Sequence, residues 1–313
     1  MTFINRIRHA GSLAARLAAG TALGVGLFAA VAGTPGFALA QDAAPSPGPA
    51  MWVVSDADST IYLFGTVHLL KPETQWRTPE LDAALAQATE LWLEVPNVDD
   101  QAAAMPLVQQ YGLNIGGAPI SSLLTAEENA QLQAAAAAIG VPPQAMEVMQ
   151  PWLVGLQVSV AAAVRAGYDP ASGVDTRLKA AADESGTAVR GFETLEQQFR
   201  FFHDLPQEVQ LQFLRQSLAT WEEAEAMLDG MVELWAAGDV EGFDALVVDE
   251  MQAEWGQLYD VLLVDRNVDW AGQIQTMLDG SGTTFIAVGA AHLVGDDSVQ
   301  SVLEERGVTV TRR

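Results

Sequence analysis

Two stretches at opposite ends of the chain repeat one pattern. "TIYLFGTVHLL" (Thr60 to Leu70) and "TTFIAVGAAHLVG" (Thr283 to Gly295) are each a β-branched, apolar run that breaks at a glycine and reaches a histidine three residues later. Two of the four histidines are spent on these phrases. The residues beyond each phrase match as well. After His68, Thr78-Pro79-Glu80 carries helix-start chemistry: a capping hydroxyl, a proline in the first turn and an acid near the positive end. That helix is predicted to run to about Thr89, followed by a strand over Leu91 to Val95 that Pro96 closes. After His292, Asp297 and Gln300 have capping-box spacing, Gly307 stops the helix, and "VTVT" reads as the last strand. Each end therefore spells a β-loop-α-β unit, whose strands run parallel through a right-handed crossover. The histidine falls just past the C-terminal end of the first strand, the edge of an open α/β sheet where ligands bind.

The rest of the chain supports the same architecture. "MWVVSDADSTIYLFG" reads as a hairpin about a Ser-Asp-Ala-Asp turn. Residues from about 100 to 260 read mainly as helix, with apolar spacing over Ala126 to Ile139, Gln150 to Ala166 and Pro206 to Gly238. Within that stretch, a helix from Asp175, a Ser-Gly stop and a short strand "AVRGF" leave Glu193 in the turn beyond. The expected fold is a single α/β domain over 51–313. Its central mixed sheet is built from the two units and flanked by helices, with a large helical insertion.

Residues 1–40 stand apart. Arg6, Arg8 and Arg16 precede an apolar stretch without acids that ends in Ala38-Leu39-Ala40, the features of a secretory signal peptide cleaved after Ala40. Residues 41–50, "QDAAPSPGPA", read as a linker. The mature protein is thus expected in the periplasm or outside the cell, with no membrane attachment. Without the leader, 12 basic residues face 40 acidic ones, a net charge of −28. Nucleic acid and anionic lipid demand a basic surface, so neither is an expected partner. The absence of cysteine excludes disulfides, thiolate nucleophiles and cysteine-based zinc sites.

His68 and His292 are the first candidates for chemistry. Gly65 and Gly289 let the backbone turn sharply and approach a ligand, and imidazole serves as a divalent-metal ligand or a general base. Glu94 ends an otherwise apolar strand, where an unpaired carboxylate is costly. Asp175 and Glu193 lie beside glycine-containing turns. Arg266 and Asn267 precede the helix that feeds the last strands, and the arginine suits a carboxylate or a developing oxyanion. His203 lacks the glycine setting and reads as structural. No His-Glu-x-x-His, Gly-x-Ser-x-Gly or phosphate-loop motif is present.

Together "LFGTVHLLKPETQWRTPELDAALAQATELWLEVP", "GVDTRLKAAADESGTAVRGFETLEQQ" and "DRNVDWAGQIQTML…FIAVGAAHLVGDDSVQSVLEERGVTV" resemble the TraB/GumN family in outline from Trp52 to Thr311. That family is similar in turn to the Tiki metalloproteases, the haem-binding ChaN proteins and the erythromycin esterases. The resemblance implies an erythromycin esterase/Tiki-like core. For Tiki-like members it also implies metal-dependent peptide hydrolysis. Carried onto this chain, it places a Mn²⁺, Co²⁺ or Zn²⁺ ion at His68, His292 and Glu94. Glu94 or Glu193 would then act as base, with Arg266 at the oxyanion, and Gly65, Asp175, Asn267 and Gly289 around them. The expected partner is a peptide or small-molecule substrate. Two alternatives stay open. One is a non-catalytic periplasmic binding protein for a peptide signal, haem or another small ligand. The other is a metal-free hydrolase with one histidine as base.

Overall fold

The computed structural model describes residues 48–97 and 100–313. The expected signal peptide and all but the end of the linker lie outside them. Six strands form one mixed sheet: β1 (Met51–Ser55), β2 (Ser59–Thr66), β3 (Glu90–Leu93), β4 (Ala188–Gly191), β5 (Gly282–Gly289) and β6 (Val310–Arg312), in the spatial order β4-β3-β5-β2-β1-β6. The hairpin is present as read, with β1 antiparallel to β2. The strands of each repeated unit run in the same direction, but they are not neighbours. β5 inserts between β2 and β3 and is parallel to both. β6 lies beyond β1, antiparallel to it and therefore aligned with β5. The two units interleave, so the C-terminal phrase fills the centre of a sheet that the N-terminal phrase begins.

Side-chain alternation fixes the layers, because successive residues of a strand face opposite sides. Phe64, Leu91, Leu93, Phe285 and Ala287 enter the larger core. Trp52, Val54, Ile61, Leu63, Ile286 and Val288 enter the smaller one on the other face. Of the helices among the described residues, nine build most of the layers around the sheet: α1 (Pro79–Gln87), α2 (Ala126–Ala138), α3 (Pro151–Arg165), α4 (Val174–Ser185), α5 (Leu195–His203), α6 (Gln207–Thr220), α7 (Ala224–Ala236), α8 (Asp265–Leu278) and α9 (Val299–Glu305). Trp270 and Ile274 of α8 and Val299 and Leu303 of α9 close the smaller core. Helix α3 is apolar on all sides, with 11 of its 15 residues buried. It turns Trp152, Leu153 and Leu156 to the sheet core and Val154 and Val158 to a second, all-helical core shared with α2 and α6. A helix without a polar face must be enclosed in this way.

Local chemistry accounts for several boundaries. Thr78 caps α1 by accepting the Leu81 N–H at 3.1 Å. α4 ends at Gly186, whose φ of 73° suits glycine. Several boundaries differ from the sequence reading, among them β3, which ends at Leu93 and leaves Glu94 just beyond the strand. The helical stretch from Pro206 to Gly238 is two helices, broken between Thr220 and Ala224. Ser298 rather than Asp297 caps α9, accepting the Ser301 N–H. Asp297 is instead held by the Tyr259 hydroxyl at 2.7 Å. The short strand expected inside the helical region is present as β4, at the sheet edge beside β3. No helix among the described residues is long and apolar enough to cross a membrane.

Candidate active site at the C-terminal edge of the sheet

Four neighbouring parallel strands deliver the site. Glu193 follows β4 by two residues, Glu94 follows β3 by one, His292 sits in a short 3-10 turn after β5, and His68 follows β2 by two. Read across the sheet, the order is Glu193, Glu94, His292, His68. The two phrases meet closely. A Cβ on Gly65 would lie 3.1 Å from the Ala290 Cα, a tight contact that a side chain there could make only if the Ala290 turn moved by a few tenths of an ångström. Gly289 donates its backbone N–H to Glu94 Oε1 at 2.8 Å. Both histidines point Nε2 toward that same oxygen, His68 at 3.9 Å and His292 at 3.8 Å.

The two imidazoles are anchored alike but on different chemistry. His68 Nδ1 lies 2.6 Å from Asp175 Oδ2, and the other oxygen of that carboxylate accepts the Thr66 hydroxyl at 2.8 Å. The first turn of α4 is pressed onto the His68 loop. Val174 N–H bonds the Val67 carbonyl, and any Cβ on Gly173 would strike the His68 carbonyl at 2.1 Å. His292 Nδ1 instead meets an amide, Asn267 Oδ1, at 2.6 Å. The Asn267 Nδ2 donates to the Asp297 carbonyl, which orients the amide and makes Oδ1 the acceptor. His292 therefore carries its proton on Nδ1 and offers a lone pair at Nε2. Burial, then the charges of Arg266 and His68, push its pKa well below the usual histidine value. It is neutral.

Arg266 is the hub. It lies in the first turn of α8, not before the helix, directly after a π-helical turn over Asp260–Val264. Its Nε donates to Glu193 Oε1, and Nη2 donates to Glu94 Oε2 at 2.6 Å and Glu193 Oε2 at 3.0 Å. Nη1 donates to the Leu262 carbonyl and to His292 Nε2 at 3.1 Å. All five guanidinium N–H groups are thereby committed. Burial works against its charge, but attraction to Glu193 and Glu94 outweighs it and leaves the pKa raised. Burial also raises the Glu193 pKa, an effect that Arg266 only partly offsets. Rings enclose the guanidinium, Trp270 at 4.7 Å and Phe201 at 5.3 Å.

Every candidate residue named from the sequence belongs to this one cluster. Two further members escaped that reading. Gln198 on α5 donates to Glu94 and Glu193, and the indole of Trp270 donates to Glu193 at 3.0 Å. A signal for Gln198 existed, since it interrupts the apolar stripe of Leu195, Phe199 and Phe202. Its Oε1 is buried without a hydrogen-bond partner among the described residues. The cluster is enclosed: the His68 side chain is 11% exposed, against 0% for His292 and 1% for Glu94, and His68 Nε2 itself is buried.

The donor types suit a divalent cation, and imidazoles anchored through the other ring nitrogen are usual for metal ligands. The arrangement does not. A guanidinium bonds the His292 lone pair and places its charge where a cation would lie. Among the described residues no three His, Asp or Glu side chains are arranged to hold a metal ion.

Comparison with known proteins agrees with the resemblance. The chain is similar to the uncharacterized protein YbaP of Escherichia coli (strain K12), at 23% identity over 82% of this chain and 92% of that protein. The YbaP protein of Shigella flexneri matches to the same extent. No solved structure matches. The sequence model of the TraB/PrgY/gumN family spans residues 50–312, and the chain belongs to that family.

Proposed function

We propose that the protein is an exported hydrolase that cleaves an amide or ester bond of a peptide-like substrate, with His68 as general base. One observation carries the reading: twin imidazoles stand on unlike partners. Asp175 stabilises the positive ring formed when His68 Nε2 takes a proton, whereas Asn267 offers no such charge and Arg266 opposes it at His292. The sheet edge thus holds one imidazole fitted to accept a proton and one held neutral. His68 is the least enclosed of these side chains, but its Nε2 is itself buried, so this reading requires the His68 loop to open before substrate meets that atom.

In this reading one water spans the 3.9 Å between His68 Nε2 and Glu94 Oε1. His68 takes its proton as oxygen attacks the carbonyl carbon, and returns the proton to the leaving group. Glu94 orients the water as a fixed anion, held by Gly289 N–H and Arg266. Arg266 is a positioning residue here, because an oxyanion would have to displace one of its five bonds.

No step passes through a metal ion, since the residues as arranged do not fit one. A Mn²⁺, Co²⁺ or Zn²⁺ ion at His68, His292 and Glu94 is the second reading. The shared Nδ1 anchoring favours it, and it requires Arg266 to release His292.

The deciding experiment assays the mature protein with p-nitrophenyl esters and a quenched-fluorescence peptide library, with and without chelator. Metal content of wild type, His68→Ala and His292→Ala is measured alongside. Turnover that survives chelation and vanishes in His68→Ala is the expected result. Turnover that needs an added ion, with binding lost in both variants, selects the metal reading. Absence of turnover under all conditions removes both and leaves the binding-protein alternative.

A further inference from the structure

Beside the buried cluster lies a surface cleft of about 320 Å³ between α5 and the segment from Gln257 to Val261. That volume is at the lower end of the range for ligand pockets, ~300–1,000 Å³. Phe201, Leu205 and Val261 supply its apolar wall. Two of these residues connect it with the Arg266 side of the cluster, where the guanidinium binds Glu193, Glu94 and His292, rather than with the His68 side. The Phe201 ring faces the Arg266 guanidinium, and Val261 belongs to the π-helical turn whose Leu262 carbonyl accepts from Arg266. π-turns of this kind occur often at functional sites. The charged residues of the cleft cancel, because Arg200 and Asp204 pair with each other at 2.9 Å. What remains is amide chemistry from the exposed Gln257 and from the NH2 of Gln197, whose Oε1 already accepts the Thr194 N–H and hydroxyl at the start of α5.

We infer that this cleft is the specificity pocket of the enzyme and takes one large, uncharged apolar side chain of a peptide-like substrate. The inference deepens the hydrolase reading and depends on it for the word substrate. An apolar wall rewards burial of a leucine- or phenylalanine-sized group. A self-neutralised ion pair gives a charged side chain no counter-ion to replace its lost hydration. The Gln257 amide offers both a donor and an acceptor, and the Gln197 NH2 a second donor, to the main-chain N–H and C=O groups on either side of such a residue.

The test separates the pocket from the chemistry. N-acetyl-leucine methylamide is titrated into wild type, His68→Ala and Gln257→Trp, followed by the NMR methyl signals of Leu205 and Val261. The aspartate and lysine counterparts serve as comparisons. Circular dichroism confirms that Gln257→Trp, a change at an exposed position, is folded. The expected result is saturable movement of those methyls in wild type and His68→Ala alike. Binding should be about ten- to a hundred-fold weaker for the charged probes and in Gln257→Trp. This result supports the pocket even if no ester or peptide is hydrolysed, in which case only the hydrolase reading falls. No binding, binding reported by methyls elsewhere, or unchanged affinity in Gln257→Trp overturns the inference. So does a peptide hydrolase whose side-chain preference and KM are unaltered by Gln257→Trp.

Discussion

Glu94 accepts the backbone N–H of Gly289 at 2.8 Å, so the carboxylate that ends the first repeated unit is fastened to the glycine at which the second phrase breaks. Across 195 positions of sequence, the two units contribute to one cluster rather than two.

The first expectation concerns Asp175. Asp175→Asn keeps the shape at His68 but removes the charge that supports a protonated ring. Turnover should fall between about 10² and 10⁴-fold, with a changed pH profile and little loss of stability. Steady-state kinetics beside urea unfolding checks this; an unchanged kcat removes His68 as base.

Arg266 should matter first for folding. Arg266→Met strands two buried carboxylates and should cost about 3–5 kcal/mol in urea unfolding. Adding Glu193→Gln removes one stranded charge and should recover part of that loss. A double variant as unstable as the sum of both single changes would show that the pair is not coupled.

His292 sets an acid limit on the fold. Its folded pKa lies below the ordinary value of 6.5. As pH falls below about 6.5, the unfolded chain therefore binds a proton that the native protein refuses, and stability drops by up to about 1.4 kcal/mol per pH unit. Glu193 acts with the opposite sign. Its raised pKa gives stability at low pH that is lost as pH rises above the ordinary 4.5 toward its folded value. The two slopes oppose each other between those values. The informative quantity is the difference between wild type and His292→Gln, which should grow in favour of the variant as the solution is acidified. Parallel pH–stability curves would contradict a neutral buried His292.

Much of this site is legible in the sequence, for a physical reason. Glycine before histidine at a strand end is local information, and so are the Thr78 cap, the Gly186 stop and Glu193 beyond a short strand. What the sequence hides is relational. Nothing in "VDRNVDWAG" says that the arginine faces inward and engages all five of its donors, or that its neighbour Asn267 orients a histidine 25 residues away. The placement of Arg266 before a helix failed because the preceding turn is π-helical, and one extra residue per turn upsets 3.6-residue periodicity. The interleaving of the units was equally hidden, since strand order depends on pairings between segments and not on either segment alone.

The central place of β5 bears on how the molecule is made. During synthesis the β1–β2 hairpin and the β3 and β4 segments emerge long before residues 282–289, which bridge them. Until that last stretch arrives, the sheet has two halves and no middle, and Glu94 lacks the N–H that fixes it. The N-terminal segments cannot close early into the finished sheet, because its keystone is among the last parts to leave the ribosome. Assembly of the sheet and of the candidate active site thus coincide, and a chain cut short before residue 282 has neither.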